Sequence, residues 1–117
     1  MTRILLIDDL RNFRIVPKGE LVIARTSAEA LAILEQQNDW DEIWFDHDLG
    51  EPDGKLDTTM RVVDFLSERA FNDNPVNVGV VYVHTSNTVG RQQILASMKR
   101  YGYRAIPVDA QPVFIVE

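Results

Sequence analysis

Cysteine is missing from this 117-residue chain, which excludes both a disulfide framework and a thiolate metal site. That absence fits a reducing compartment, and a cytoplasmic location is the expectation. No apolar run approaches the ~20 residues that span a bilayer. The opening MTRILLIDDLR turns acidic too soon to read as a secretory signal, so no membrane partner is expected. Positive charge is scarce: 12 Lys and Arg against 18 Asp and Glu give a net charge of −6. A broad nucleic-acid surface, which works by phosphate neutralisation, is therefore not expected. Recognition of one phosphorylated end in a small pocket stays open. Glycine and proline are also few, 6 and 5, and no repeat, linker or low-complexity tract breaks the chain.

What is present is the profile of a folded protein, 45% apolar and 26% charged. The length suits one core rather than two, so residues 1–117 are read as a single domain. Ile4 to Ile7 is a continuous apolar run that stops at Asp8 and Asp9, and Leu21 to Ala24 is a second. Thr26 or Ser27 can cap the helix that follows, with Glu29 in its first turn and Ala28, Leu31, Ala32 and Leu34 as its apolar face. Glu42 to Phe45 predicts a third strand, ending in Asp46, His47 and Asp48, and Gly50, Pro52 and Gly54 make the next stretch a loop. A helix is expected over 58–71, with Met60, Val63, Phe65, Leu66 and Ala70 toward the core. Val78 to Val83 is the most β-rich stretch. A helix over 88–101 then closes at Gly102. Residues 104–108 read as a fifth strand, and 113–116 as a further edge strand.

Strands alternating with helices, several of them apolar throughout, imply a parallel sheet covered on both faces. The expected fold is a three-layer α/β domain of about five strands. One interval is irregular. About ten residues, Leu10 to Glu20, separate the first two strands, where a parallel crossover normally takes a dozen or more. Pro17 and Gly19 interrupt that stretch, so the first helix is expected to be shortened or absent.

In such sheets ligands bind beyond the carboxyl ends of the strands, where strand order reverses. Three strand ends carry polar residues that should meet there: Asp8-Asp9, Asp46-His47-Asp48 and His84-Thr85-Ser86-Asn87. Four carboxylates at one rim repel each other, and a hard divalent cation relieves that repulsion. Asp8, Asp9, Asp46 and Asp48 are the expected ligands, with Mg²⁺ as the first candidate and Mn²⁺ as the second. His47 and His84 are the two histidines of the chain. Imidazole titrates near neutrality, so they are candidates for moving protons at a phosphoester. Each could equally ligate Mn²⁺ or Zn²⁺, or rest against a neighbouring Asp without a chemical task. Thr85, Ser86, Asn87 and Gly90 open a helix whose free N–H groups favour an anion. Ordinary capping accounts for Ser86 or Asn87 taken alone. Arg11 can reach a phosphate oxygen or form a surface ion pair. Trp40, Trp44, Phe65 and Tyr82 are read as packing residues, and Arg91, Lys99, Arg100 and Arg104 as a solvated helix face.

An apolar strand ending in Asp8-Asp9 and a third strand ending in Asp46 resemble the receiver domains of two-component signalling. In that family the acidic pair and the third-strand Asp hold Mg²⁺, and the latter accepts a phosphoryl group. Thr85 or Ser86 stands where receivers carry a hydroxyl residue. Ile106-Pro107 stands where they carry Lys-Pro, so the usual phosphate-contacting cation is replaced by Ile. A closer resemblance, over roughly residues 3 to 110, is to the cyclic-phosphate processing receiver domains. It rests on Ile7-Asp8-Asp9-Leu10-Arg11, on Phe45-Asp46-His47-Asp48-Leu49-Gly50, and on His84-Thr85-Ser86-Asn87 with Gly90. That resemblance implies a flavodoxin-like fold and processing of cyclic phosphate ends, in RNA repair or in phage–host conflict.

The expected function is metal-dependent processing of a cyclic phosphate or nucleotide-end phosphoester, by a phosphoesterase-type hydrolase. The carboxylates would hold the ion; Asp46, His47 and His84 would carry the chemistry; Thr85, Ser86, Asn87 and Arg11 would hold phosphate oxygens. The expected partner is a small phosphorylated or nucleotide ligand, an RNA end included. Two other readings stay open: a phosphate- or nucleotide-binding regulatory module without turnover, and an atypical receiver with Asp46 as phosphoacceptor. The metal-binding domain of topoisomerases and primases also carries Asp-x-Asp after its third strand. It expects Glu after the first strand, where this chain has Asp.

Overall fold

The computed structural model describes residues 2–116. Five strands, β1 (Arg3–Ile7), β3 (Glu20–Ala24), β4 (Asp39–Phe45), β5 (Asn77–Val83) and β6 (Ala105–Pro107), form one sheet in the order β3-β1-β4-β5-β6. Every pairing in it is parallel. Three helices make the crossovers: α1 (Ser27–Gln36), α2 (Met60–Phe71) and α3 (Thr88–Arg100). Two short strands, β2 (Arg11–Phe13) and β7 (Phe114–Val116), pair antiparallel in a separate ribbon, and a one-turn helix α4 (Ala110–Val113) leads into the second. The α/β class and the five-stranded parallel sheet are as expected.

Side chains alternate across a strand, and β1 divides accordingly. Leu5 and Ile7 join the larger core, while Ile4 and Leu6 join the smaller. The larger core lies under all three long helices, through Ala30 and Leu34 of α1, Val62, Val63 and Leu66 of α2, and Ile94 and Met98 of α3. Helices therefore cover both faces, but unequally: among the described residues, the helix packed on the second face is the four-residue α4.

The short interval between the first two sheet strands explains the inequality. The first helix is absent. The chain instead leaves β1, forms the three residues of β2 and returns through Pro17 and Gly19. Gly19 has φ +112, and a Cβ there would run into the Thr2 carbonyl oxygen. That oxygen accepts the Glu20 N–H at 2.8 Å and so starts the β1–β3 ladder. The tail 113–116 is a strand, as expected, but it pairs with β2 rather than edging the main sheet. Phe114 and Phe13 pack tilted at 4.9 Å, and each meets Trp44 edge-on at 5.5 and 5.2 Å. Burial of these rings draws the tail over the sheet face.

Smaller departures have the same kind of cause. β4 begins at Asp39 rather than Glu42 because Trp40 is buried in the larger core. On α1 the buried residues are Ser27, Ala30 and Leu34, whereas Ala28 and Ala32 are exposed. The Thr26 cap, which accepts from Glu29 N–H at 3.1 Å, sets that phase. Asp57, from the loop before α2, also accepts from the Ser27 N–H and hydroxyl at 2.8 and 2.6 Å.

Candidate metal and phosphate site

The sheet order reverses between β1 and β4, since β3 lies on one side of β1 and β4 on the other. The carboxyl ends of those two strands are where a ligand site is expected on such a sheet. Asp8 and Asp46 follow them directly, each tied in by its backbone: Asp8 N–H to Ala24 O at 3.1 Å, Asp46 N–H to Ile7 O at 3.0 Å. His84 leaves β5 and donates its N–H to Phe45 O at 2.9 Å. All three residues are buried.

Their side chains converge. One ligand atom from each of Asp8, Asp46 and His84 lies within 4.8 Å of the others. His84 Nε2 is 2.9 Å from Asp8 Oδ2. Arg11 Nη1 reaches both Asp8 Oδ2 and Asp46 Oδ2 at 3.4 Å, between the two acids. The second oxygen of Asp8 accepts the N–H groups of Leu10 and Arg11, both at 2.9 Å. The second oxygen of Asp46 accepts the His47 N–H at 2.8 Å. Three oxygen and nitrogen donors gathered this closely form a set that could hold one divalent cation.

The two carboxyls are held differently. Burial acts to raise the pKa of Asp8, but the His84 hydrogen bond and the Leu10 and Arg11 amides outweigh it and bring it to about 2. Asp46 goes the other way: burial raises its pKa, and the neighbouring Asp8 charge raises it further. The nearby His84, the His47 amide and the Thr85 side chain only partly offset this. Asp9 is also shifted upward, chiefly by burial. The rim thus pairs one firmly ionised acid with one that resists ionisation, an arrangement a cation would relieve.

Among the described residues the group whose ligand atoms converge is Asp8, Asp46 and His84, not the four carboxylates together. Asp9 and Asp48 stand outside it, and His84, expected to move protons, stands inside. Alternation turns Asp9 away from its inward neighbour Asp8, whereas Asp48, two positions after Asp46, is diverted because the chain has left β4 and bridges to Thr58. Asp9 Oδ2 lies against Gly50, 3.0 Å from where a Cβ would stand. Asp48 belongs to a second, more exposed cluster with His47 and Asn87. Its Oδ1 is 3.0 Å from His47 Nδ1, and Asn87 Nδ2 donates to its Oδ2 at 3.3 Å. Gly90 is required there, because a Cβ would stand 2.5 Å from the His47 ring. Asn87 also caps α3 by accepting the Gly90 N–H at 2.9 Å. Thr85 is buried and Ser86 exposed at the mouth of the rim.

A family model described as the cyclic-phosphate processing receiver domain matches residues 3–100. The chain belongs to that family. No curated protein and no solved structure matches it. The matched span carries every rim residue of this receiver domain, whereas β6, α4 and β7 lie beyond it.

Two contributors were not foreseen from the sequence. Arg25 donates to the carbonyl oxygens of Asp8 and Arg11 at 3.1 and 2.6 Å, fixing the turn that holds Asp8. Phe114 lays its ring 4.4 Å from that of His84. Arg25 follows an apolar strand and Phe114 lies in the tail, so neither position carried a signal. No helix among the described residues is long and apolar enough to cross a membrane.

Proposed function

We propose that this receiver domain holds one divalent cation at Asp8, Asp46 and His84 and uses it to process a cyclic phosphate at a nucleotide end. The observation that carries the reading is the meeting of three buried ligand atoms at the point where sheet order reverses. An imidazole beside two carboxylates favours Mn²⁺ over Mg²⁺, which prefers oxygen throughout. Such an ion supplies Lewis acidity and lowers the pKa of bound water.

The remaining roles fall to the chain. Arg11 now balances the two acids through long contacts of 3.4 Å. Placed between Asp8 and Asp46, its guanidinium would also offer a planar donor fork to a phosphate oxygen. His47, oriented by Asp48 at 3.0 Å, serves as the proton carrier. Ser86 and the first amides of α3 hold the anion.

Calorimetry with Mn²⁺ and Mg²⁺, followed by product analysis on adenosine 2′,3′-cyclic phosphate, tests the reading. Asp46→Asn is expected to weaken Mn²⁺ at least about tenfold, the scale on which buried charged ligands matter. His47→Ala is expected to keep the metal and lose turnover. Equal Mn²⁺ affinity in the native chain and Asp46→Asn sinks the metal site. Tight binding with unchanged nucleotide after long incubation leaves a binding module instead of an enzyme.

A further inference from the structure

We propose that Arg91 anchors a second anionic group of the substrate: the 5′-phosphate of a nucleotide whose cyclic phosphate sits at the carboxylate rim. This rests on the function just proposed and narrows its substrate to a nucleotide end bearing two phosphates. A cavity of about 740 Å³ opens beside the rim, with Arg11, His84, Thr85 and Ser86 on its lining. That volume is in the class that takes small organic ligands. Pro107, Val108 and Ala110 add a carbon-rich wall suited to a sugar or base, and they lie outside the span matched by the family.

Arg91 lines the same cavity. Its N–H continues α3 by donating to Asn87 O at 2.8 Å, which fixes its backbone. The guanidinium Nε is buried and has no hydrogen-bond partner among the described residues. Native proteins rarely leave such a donor unpaired. Neighbouring arginines are engaged: Arg11 with Asp8 and Asp46, Arg14 with the Gln111 and Phe114 carbonyls, Arg25 with the Asp8 and Arg11 carbonyls. The one carboxylate on the cavity lining, Asp109, is turned to the start of α4, where it accepts the Gln111 N–H at 3.4 Å. Arg91 stands on the cavity wall, and a planar guanidinium there is matched by a phosphate, which takes two parallel hydrogen bonds. The reacting phosphate already meets Arg11, so Arg91 is a second cation for a second charge.

The test is a comparison of affinities, independent of turnover. Adenosine 2′,3′-cyclic phosphate and its 5′-phosphorylated form are titrated by calorimetry into the native chain and Arg91→Gln. The native chain is expected to bind the 5′-phosphorylated ligand about tenfold tighter, the worth of one charge-assisted hydrogen bond. Arg91→Gln is expected to lose that preference while binding the unphosphorylated ligand as before, which also shows that it is folded. Equal affinities in the native chain, or a preference that survives Arg91→Gln, overturn the proposal. A parallel titration with inorganic phosphate in EDTA separates the two levels of inference. If neither cyclic nucleotide binds, the cyclic-phosphate function fails, and the substrate class named here fails with it. Phosphate binding that weakens about tenfold in Arg91→Gln then still supports Arg91 as an anion anchor, and equal binding removes that as well.

Discussion

The two faces of the sheet are built from different materials. One is mostly aliphatic, with Trp40, Phe45 and Tyr103 as its buried rings, and lies under three helices of 10, 12 and 13 residues. The other is richer in rings for its size: Phe13 and Phe114, from a ribbon of three-residue strands, pack with Trp44 and Tyr82 of the sheet. Trp44 stacks on Tyr82 at 4.3 Å, and Phe114 lies against His84. The thick face supplies most of the buried apolar surface. The thin face backs the rim and places a ring behind a metal-ligand candidate. Stability and site positioning are therefore assigned largely to opposite sides of one sheet.

Substitutions can break or sharpen that contrast. The largest effect is expected on the thick side. Phe45→Ala removes a fully buried ring and should cost ~3–5 kcal/mol in chemical denaturation, with all protected amides losing protection together. Phe114→Ala should cost less, ~2 kcal/mol, because the short ribbon can close on the gap. Its signature is local: hydrogen exchange at Arg11–Phe13 should quicken while amides of β4 keep their protection. If Phe114→Ala instead unfolds the whole molecule as Phe45→Ala does, the two layers are one cooperative unit and the contrast fails.

A smaller effect concerns Tyr103, buried in the larger core with its hydroxyl donating to Leu66 O at 2.8 Å. Tyr103→Phe should cost about 1 kcal/mol near neutral pH. Burial raises the pKa of this phenol above its ordinary 10.0. A raised pKa means the folded state favours the neutral form, so its contribution is complete below pH 10.0 and falls as pH rises through the folded value. The stability gap between the native chain and Tyr103→Phe should therefore narrow at alkaline pH. A gap that holds constant across that range would show that the ring is open to water.

Much of the fold was legible because burial on both faces of a parallel strand leaves a continuous apolar run, as in Ile4–Ile7. The same runs end abruptly in acids, which marked Asp8 and Asp46 as rim residues. The curtailed first crossover was legible too, since ten residues containing Pro17 and Gly19 cannot span it with a full helix. What replaced the helix was not. The β2–β7 pairing joins segments about a hundred residues apart, and no local pattern encodes a contact at that separation. Ala28 and Ala32 were misjudged because alanine is apolar enough for either side of a helix. Arg91 looked like any solvated helix cation, because an unpaired buried Nε is a property of its surroundings.

The chain alone determined the alternation of elements, the position of the strand ends and the residue types gathered there, since each depends on neighbours a few positions away. Only the folded arrangement decided which of those residues share a space. It brought His84 in beside Asp8 and Asp46, turned Asp9 and Asp48 elsewhere, and set Arg91 on the wall of a cavity. The physical reason is that direction at a strand end depends on alternation and on distant packing, and neither is written into the identity of a single side chain.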